Sequence, residues 1–279
     1  MFAGHGVTFL RFDEALAPPR LCTHVPAEWL DCTDLRGTHG FCDPSTARIL
    51  AERLARRRYR GVTFIGSGAY HYVTYLLLRE IQDPFALVLF DHHTDMAVGP
   101  SSASDLNPAF AFDPAAGPAT ALEPHTWLHC GNWVRAALQN LPALQRVVIV
   151  GARREDEARR LDPRVTVIWE EELGASGMPV AALWQRVRRV LRGWPIYVSI
   201  DKDVLAPADA MTDWDAGSMR LVALTAWLRR LITKYPLVGL DVCGEWPAAP
   251  SELWQPHVRT AVLHNERANQ AILAAVKAG

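Results

Sequence analysis

The feature that most constrains this chain is a six-residue apolar run that stops at a charged cluster. The run Phe85–Phe90 (FALVLF) is typical of a strand buried on both faces of a parallel sheet, and Asp-His-His-Thr-Asp follows at positions 91–95. Because side chains alternate along an extended backbone, Asp91, His93 and Asp95 are expected on one side. Two carboxylates and an imidazole at a strand end suit a divalent cation. Taken alone, this cluster is also consistent with an acidic surface loop.

A second strand-like run ends in the same way. Ile196–Ile200 (IYVSI) leads directly into Asp201, Lys202 and Asp203. The two carboxylates again lie two residues apart and share a face, where they repel each other unless a cation neutralises them. Lys202 is expected to point to the opposite side, so it does not supply that charge.

A third strand-like run, Val62–Ile65, precedes His71. Three strands that end in ligand-type residues favour a metal site over a loop or a salt bridge. The candidate ligands are His71, Asp91, His93, Asp95, Asp201 and Asp203. Six ligands are too many for one ion and suit two, and a pair of ions roughly 3.5 Å apart can make hydroxide from a shared water at neutral pH. Because the set contains no thiolate, it favours manganese over zinc.

Composition narrows the class of protein. The chain has 279 residues and 49% hydrophobic residues, which predicts one large α/β domain over residues 1–279. A net charge of -1 offers no basic surface for nucleic acid. No apolar stretch is long enough to span a membrane, and Arg11, Asp13 and Glu14 interrupt the N-terminus, so we expect a cytoplasmic protein without a membrane partner. Five cysteines, an odd number, argue against a disulfide scaffold.

The order of patterns along the chain predicts the architecture. Strand-like runs alternate with helical patterns, which indicates a mostly parallel sheet covered on both faces, with the site at the carboxyl ends of its strands. Three segments are expected to be irregular: Glu14–Cys42, Ala97–Pro124 and Ala206–Ser218. The second is long enough to predict a functional rim over the site.

The motifs Asp91–Asp95 and Ser199–Asp203 resemble the two signature motifs of the arginase (ureohydrolase) superfamily, and the resemblance runs from Gly61 to Glu245. It implies a three-layer α/β/α sandwich with a mostly parallel sheet of about eight strands. It also implies a hydrolase that uses two Mn²⁺ ions to convert guanidino groups to urea and an amine. Assembly into homo-oligomers is suggested as well.

The resemblance further implies a role for each candidate residue. One ion would take His71, Asp91, Asp95 and Asp201, and the other Asp91, His93, Asp201 and Asp203. Asp95 would also hold the nucleophilic hydroxide and pass a proton to the leaving amine. His129 matches a proton-shuttling histidine, and Glu245 lies near the position of a guanidinium-binding glutamate. The structural alternatives are a hydrogen-bonded histidine at a helix start for His129 and a surface carboxylate for Glu245.

Several positions depart from the family pattern. Tyr70 replaces an acidic residue, and one extra residue separates Asp241 from Glu245. Ala97 and Arg154 stand where enzymes for free arginine have an asparagine and an aspartate that bind the amino acid head group. Loss of such polar partners should reduce preference for a free amino acid. The pattern is similar to peptide arginases, which convert arginine side chains within peptides to ornithine.

Three other functions stay open. The first is a small-molecule ureohydrolase that acts on agmatine, arginine or another guanidino compound. The second is an amide hydrolase similar to histone deacetylases, which share the fold but use one zinc ion. The third is a metal-binding protein without catalytic activity.

Overall fold

The computed structural model describes residues 6–13, 25–97, 127–154, 161–174 and 177–277. Its strands are β1 (Val7–Arg11), β2 (Ala27–Asp31), β3 (Phe41–Cys42), β4 (Val62–Gly66), β5 (Phe85–Phe90), β6 (Leu128–His129), β7 (Leu144–Ala152), β8 (Val165–Trp169), β9 (Ile196–Asp201) and β10 (Leu237–Cys243). Its α-helices are α1 (Pro44–Ala55), α2 (Val73–Leu78), α3 (Trp133–Asn140), α4 (Glu170–Leu173), α5 (Val180–Leu191), α6 (Leu221–Lys234) and α7 (Pro256–Lys277).

Eight of these strands form one parallel sheet in the order β2-β1-β4-β10-β9-β5-β7-β8. The remaining two, β3 and β6, form a short antiparallel pair. Every side chain of β5 is buried, as the uninterrupted apolar run predicts. The expected mostly parallel sheet of about eight strands is confirmed.

Apolar side chains cover both faces of the sheet. One core contains side chains from α5, α6 and α7, and the other contains side chains from α1, α2 and α3. Asp43 caps the first turn of α1 through its carboxylate, with Pro44 at the first helical position, as the sequence indicates. The three-layer α/β/α architecture is therefore confirmed.

One prediction about local structure was wrong. Glu14–Cys42 was expected to be irregular, but its described part contains the strands β2 and β3. The sequence of the edge strand β2 has no clean alternation. The strand forms because it pairs with β1, and the Trp29 ring stacks on the Phe9 ring with centroids 5.0 Å apart. Tertiary pairing thus outweighs the local pattern. In contrast, Ala206–Ser218 contains no helix or strand, as predicted.

Part of the predicted rim cannot be compared, because residues 98–126 lie outside the described residues. Among the helices that are described, none is both long enough and apolar enough to cross a membrane. The motifs singled out in the sequence follow β4, β5 and β9, which lie within four neighbouring strands of the sheet. Their side chains therefore meet at one edge.

Candidate metal centre

The carboxyl ends of β4, β10, β9 and β5 bring the candidate ligands together. Asp91 follows the last residue of β5, and Asp201 is the last residue of β9. His71 follows a short 3-10 turn after β4, which Ser67 caps by accepting a hydrogen bond from the Ala69 amide. These three candidate ligands thus leave a rigid strand or a capped turn, which fixes the directions of their side chains.

The first group of ligands surrounds the Nδ1 atom of His71. This atom lies 3.3 Å from Asp91 Oδ2, 3.1 Å from Asp95 Oδ2 and 3.4 Å from Asp201 Oδ2. All four side chains are buried. Three carboxylate oxygens therefore converge on one imidazole nitrogen, away from solvent.

The second group surrounds His93. Its Nδ1 atom lies 2.9 Å from Asp203 Oδ2 and 3.5 Å from Asp91 Oδ1. Asp91 thus turns one oxygen to each histidine, as expected of a carboxylate that bridges two ions. Asp201 belongs to the first group through Oδ2, and its Oδ1 accepts the Asp203 amide at 3.0 Å. The structure brings all six predicted ligands into one cluster.

The donor set fits a pair of divalent cations. Four carboxylates are buried against two imidazoles, and Asp91 Oδ2 has no hydrogen-bond partner. Burying an uncompensated charge is costly, so a cluster of this kind needs cations. The oxygen and imidazole ligands suit divalent metals of hard to borderline character.

The pKa values of the cluster indicate the same excess of buried negative charge. Burial, followed by the neighbouring Asp201 and Asp91 carboxylates, raises the pKa of Asp203 well above its usual value. Burial and the Asp91 carboxylate also raise the pKa of Asp95. Although burial opposes it, hydrogen bonds to Asp203 and Asp91 raise the pKa of His93 to about 11. The cluster therefore retains protons at neutral pH unless cations replace them.

The orientation of His71 depends on a hydrogen-bond chain that the sequence analysis missed. His71 Nε2 lies 3.0 Å from Ser199 Oγ, and the Ser199 hydroxyl donates to Asp241 Oδ1 at 2.7 Å. Because the only hydroxyl proton of Ser199 goes to Asp241, Ser199 accepts from Nε2–H, which leaves the Nδ1 lone pair for a metal. Tyr197 donates to the other oxygen of Asp241. The period-two alternation of Tyr197, Ser199 and Asp201 along β9 is the signal for this chain.

Asp95 is fixed by the segment that enters α3. Its backbone has a φ of 50°, in the left-handed region that aspartate tolerates better than most residues. Trp133 donates its Nε1–H to Asp95 Oδ2, and the Trp133 ring lies 4.9 Å from the His71 ring. Trp133 therefore orients one carboxylate and shields the adjacent histidine, a role that the sequence analysis did not assign.

His129 lies in β6, four residues before Trp133. Its Nδ1 accepts a hydrogen bond from the Gly131 amide at 3.1 Å. The neutral ring therefore carries its proton on Nε2. Burial lowers the pKa of His129, so the ring is neutral at neutral pH.

Glu245 lies apart from the cluster of six. Its Oε1 atom accepts a hydrogen bond from Asn269 Nδ2 at 2.6 Å and forms an ion pair with Lys202. Lys202 is fully buried, and its ammonium points to Glu245 rather than to the two adjacent aspartates. The carboxylate of Glu245 thus neutralises a buried cation next to the site.

Two further side chains flank the cluster. Cys243, the last residue of β10, places Sγ 3.0 Å from Asp201 Oδ2. The Trp214 ring lies 5.9 Å from the His93 ring at an angle of 73°. At the rim, Arg154 donates to Glu171 Oε1 at 2.7 Å and lies over the Trp169 ring.

The sequence and the fold were compared with known proteins. The model of the arginase family matches residues 13–252, which is most of the chain. An uncharacterised protein of Thermotoga maritima is 29% identical over 216 residues, which cover 77% of this chain and 68% of that protein.

Solved structures of similar fold include three whose names describe related enzymes. A hypothetical agmatinase from Burkholderia thailandensis has a TM-score of 0.61 at 19% identity, covering 98% of this chain and 85% of that one. Proclavaminate amidino hydrolase from Streptomyces clavuligerus has a TM-score of 0.62 at 17% identity, covering 99% and 94%. Arginase from Bacillus subtilis has a TM-score of 0.61 at 14% identity, covering 96% and 97%. With the family match over residues 13–252, these findings show that the chain belongs to the arginase family.

Proposed function

We propose that this protein is a two-metal hydrolase that cleaves a guanidino group to urea and an amine. The observation that carries this proposal is the arrangement around Asp91, whose two oxygens face two different histidines at 3.3 Å and 3.5 Å. A carboxylate shared by two ligand groups suits a two-ion site, and a binding module for one ion has no need of it.

The residues assigned to each ion follow the two groups, except that the place of Asp201 at the second ion is taken from the family resemblance. We assign His71, Asp91, Asp95 and Asp201 to one ion, and Asp91, His93, Asp201 and Asp203 to the other. Two Mn²⁺ ions suit the carboxylates and imidazoles of this set. When bound, such a pair lowers the pKa of a water molecule and supplies hydroxide at neutral pH.

The remaining steps belong to side chains of this protein. Asp95 holds the attacking oxygen nucleophile and passes a proton to the departing amine, because a neutral amine is the better leaving group. Trp133 keeps the Asp95 carboxylate in place through its Nε1–H. We assign to His129 the exchange of that proton with solvent through Nε2, since Nδ1 is occupied by the Gly131 amide.

The guanidinium needs a carboxylate that orients it. We assign this role to Glu245, as the resemblance implies. Lys202 and Asn269 both contact Oε1 of Glu245, so Oε2 is the oxygen that we assign to the substrate. A charge-assisted hydrogen bond to a planar guanidinium would fix the plane of attack.

We propose that the substrate is an arginine side chain within a peptide, which the enzyme converts to ornithine. Position 154 carries an arginine, and its guanidinium is engaged by Glu171 and Trp169 at the rim. This position therefore lacks the carboxylate that would bind the α-amino group of free arginine, so a free amino acid loses a polar partner there. A residue within a peptide has no charged α-amino group that needs such a partner.

The second candidate is a small-molecule ureohydrolase. Its support is that proteins of similar fold include one named agmatine ureohydrolase and one named formimidoylglutamase, both names of enzymes for small compounds. We further propose that the protein acts in the cytoplasm, since the described cysteines are free thiols. Assembly into a homo-oligomer is proposed from the resemblance to arginases.

Urea release tests the proposed function. The Mn²⁺-loaded protein should release urea from a peptide with an internal arginine, and mass spectrometry should show ornithine at that position. Free L-arginine and agmatine are the comparison substrates, and Asp203→Asn is the inactive control. A far higher kcat/KM for either free compound would contradict the peptide assignment. Absence of urea from all three substrates, with two ions bound, would favour a metal-binding protein without catalysis.

A further inference from the structure

Cys243 is paired with a predicted metal ligand across two neighbouring strands. In the parallel register of β10 and β9, Cys243 is the partner of Asp201. Side chains of paired residues project from the same face of a sheet. The register of β10 against β4 shifts between Val242 and Cys243, an irregularity that re-aims the side chains at the end of a strand. The thiol consequently lies over the same edge of the sheet as the carboxylates.

The thiol is one member of a buried group of donor atoms. Cys243 Sγ lies 3.0 Å from Asp201 Oδ2, and that oxygen lies 3.4 Å from His71 Nδ1. His71, Asp201 and Cys243 are all buried, and their donor atoms lie within 4.8 Å of one another. At ligand distances of about 2.3 Å for sulfur and about 2.1 Å for oxygen, two donors bound to one ion near a right angle are roughly 3 Å apart. The observed separation fits that arrangement.

An unpartnered oxygen points to the same place independently. Asp91 Oδ2 is buried without a hydrogen-bond partner and lies 3.3 Å from His71 Nδ1. A buried carboxylate oxygen without a partner is costly, and this oxygen lies beside the same His71 nitrogen that belongs to the group of Asp201 and Cys243. A cation bound to that nitrogen would also neutralise the Asp91 carboxylate.

We propose that the Cys243 thiolate is a ligand of the ion held by His71 and Asp201, so that this position prefers a softer divalent cation than its neighbour does. The inference rests on the proposed two-metal centre but not on the identity of the substrate. When the ion binds, the thiol proton leaves to solvent and sulfur donates an electron pair to the metal. No oxidant or reductant takes part.

The two positions then differ in their preference for metals. The group of Asp91, His93 and Asp203 contains no sulfur, and it keeps the preference of oxygen and imidazole ligands. A thiolate favours Zn²⁺, Co²⁺ or Fe²⁺ over Mn²⁺. The sequence favoured manganese because the six predicted ligands include no sulfur. The Cys243 thiol changes this preference only for the ion held by His71 and Asp201.

Cobalt loading of the full chain tests this proposal directly. The reduced protein is titrated with Co²⁺ without oxygen, and bound metal is counted. We expect a sulfur-to-cobalt charge-transfer absorption in the near ultraviolet and a sulfur atom about 2.3 Å from the metal in X-ray absorption spectra of the zinc-loaded protein. Cys243→Ser should abolish both signals. It should also lower the affinity for Zn²⁺ at one position by at least about tenfold, while the affinity for Mn²⁺ falls less.

Cys130→Ser is the matched control. Cys130 is partly exposed, lies next to His129 and forms no part of the donor group, so its variant should keep both spectral signals. The proposal is overturned if the unaltered protein binds Co²⁺ without the charge-transfer band, or if Cys243→Ser leaves the band unchanged. Urea release that continues in a protein without the band would overturn the sulfur ligand and leave the proposed hydrolase in place. A protein that binds no metal at all would overturn both.

Discussion

At the scale of single residues, the direction of the His71 ring depends on one hydroxyl. Ser199 accepts from His71 Nε2 and donates to Asp241, which is fully buried in the sheet. The partners that hold a metal-binding histidine in place usually affect metal affinity almost as strongly as the ligands do. Ser199 contacts His71 and not His93, so its loss should lower the affinity for one of the two ions only.

Ser199→Ala tests this dependence. Removal of the hydroxyl leaves His71 Nε2–H and Asp241 without their shared partner, so the affinity for one of the two ions should fall about 10- to 100-fold. Isothermal titration calorimetry with Mn²⁺ measures the two affinities. Thr225→Ala is the control, since its hydroxyl donates to the Val222 carbonyl within α6. Unchanged affinities in Ser199→Ala would contradict the assigned role.

Protonation of the cluster gives a second prediction at this scale. Despite the opposing effect of burial, charges and hydrogen bonds around His71 raise its pKa, as they do for His93, and burial with neighbouring carboxylates raises the pKa of Asp203. The two histidines therefore hold protons at neutral pH in the metal-free protein, and Asp203 is shifted toward its protonated form, so these groups must lose protons when an ion binds.

Metal binding should accordingly release protons, and the affinity should rise as the pH rises from 6 to 8. Calorimetric titrations in buffers with different enthalpies of ionisation measure the number of protons released. Proton uptake, or an affinity that does not change with pH, would contradict the direction of these pKa shifts.

The sequence predicted the six residues that meet in the cluster, but not the residues that position them. Asp91 and Asp201 directly follow or end a strong strand pattern, and the other four lie within five residues of a strand end, so their common location could be inferred from the chain itself. Ser199, Trp133 and Cys243 acquire their roles from strand pairing and from the docking of α3, which involve distant parts of the sequence. The alternation along β9 shows that Ser199 shares a face with Asp201, but no local pattern shows which distant residues it contacts.

At the scale of elements, the end of β10 shapes one wall of the site. The extra residue between Asp241 and Glu245 is accommodated at Gly244, which has a φ of 85°. A Cβ atom there would lie 2.5 Å from Asp201 Oδ1 and 2.8 Å from the Lys202 amide nitrogen. Only glycine lets the strand end this close to a ligand, and the next residue, Glu245, turns to Lys202.

Gly244→Ala should therefore destabilise the protein and weaken metal binding. Gly193 also has a φ of 85°, but a Cβ atom there has no neighbour within 4 Å, so Gly193→Ala is a matched control. The left-handed backbone alone should cost about 1–2 kcal/mol in both variants. The contact with Asp201 should add about 1–3 kcal/mol in Gly244→Ala. Urea denaturation measures both free energies of unfolding, and equal losses would contradict the account of this strand end.

The strand β2 shows why an edge strand is difficult to predict from its sequence. It lies at the edge of the sheet, its residues do not alternate cleanly, and it is held by backbone pairing with β1 and by the contact between Trp29 and Phe9. The central strands were easier to predict because burial on both faces imposes an apolar run.

At the scale of the whole molecule, the buried carboxyl groups of the candidate site should lower the stability of the metal-free protein. Four carboxylates are buried together at the edge of the sheet, where they repel one another without ions. Burial and the neighbouring carboxylates raise the pKa of Asp203, so at neutral pH this carboxyl group opposes folding of the metal-free chain, either as a repelled charge or through the cost of taking up a proton. An uncharged amide at this position should therefore stabilise the metal-free fold, while the same change should remove a ligand from the loaded protein.

Asp203→Asn tests this trade-off with little change in shape. Its amide oxygen can still accept the His92 backbone amide that Asp203 Oδ1 accepts at 3.0 Å. Thermal unfolding in a chelator should show the variant about 0.5–2 kcal/mol more stable than the unaltered protein. With Mn²⁺ at about 100 times its Kd, the unaltered protein should gain about 2.7 kcal/mol and the variant clearly less. A variant that is less stable in both conditions would contradict the proposed repulsion.

Anomalous diffraction from crystals of the Mn²⁺-loaded protein tests the central claim most directly. We predict two anomalous peaks about 3.5–4 Å apart, with Asp91 between them. His71 should contact one peak, and His93 with Asp203 should contact the other. A single peak, or two peaks away from the carboxyl ends of β5 and β9, would contradict the two-metal hydrolase.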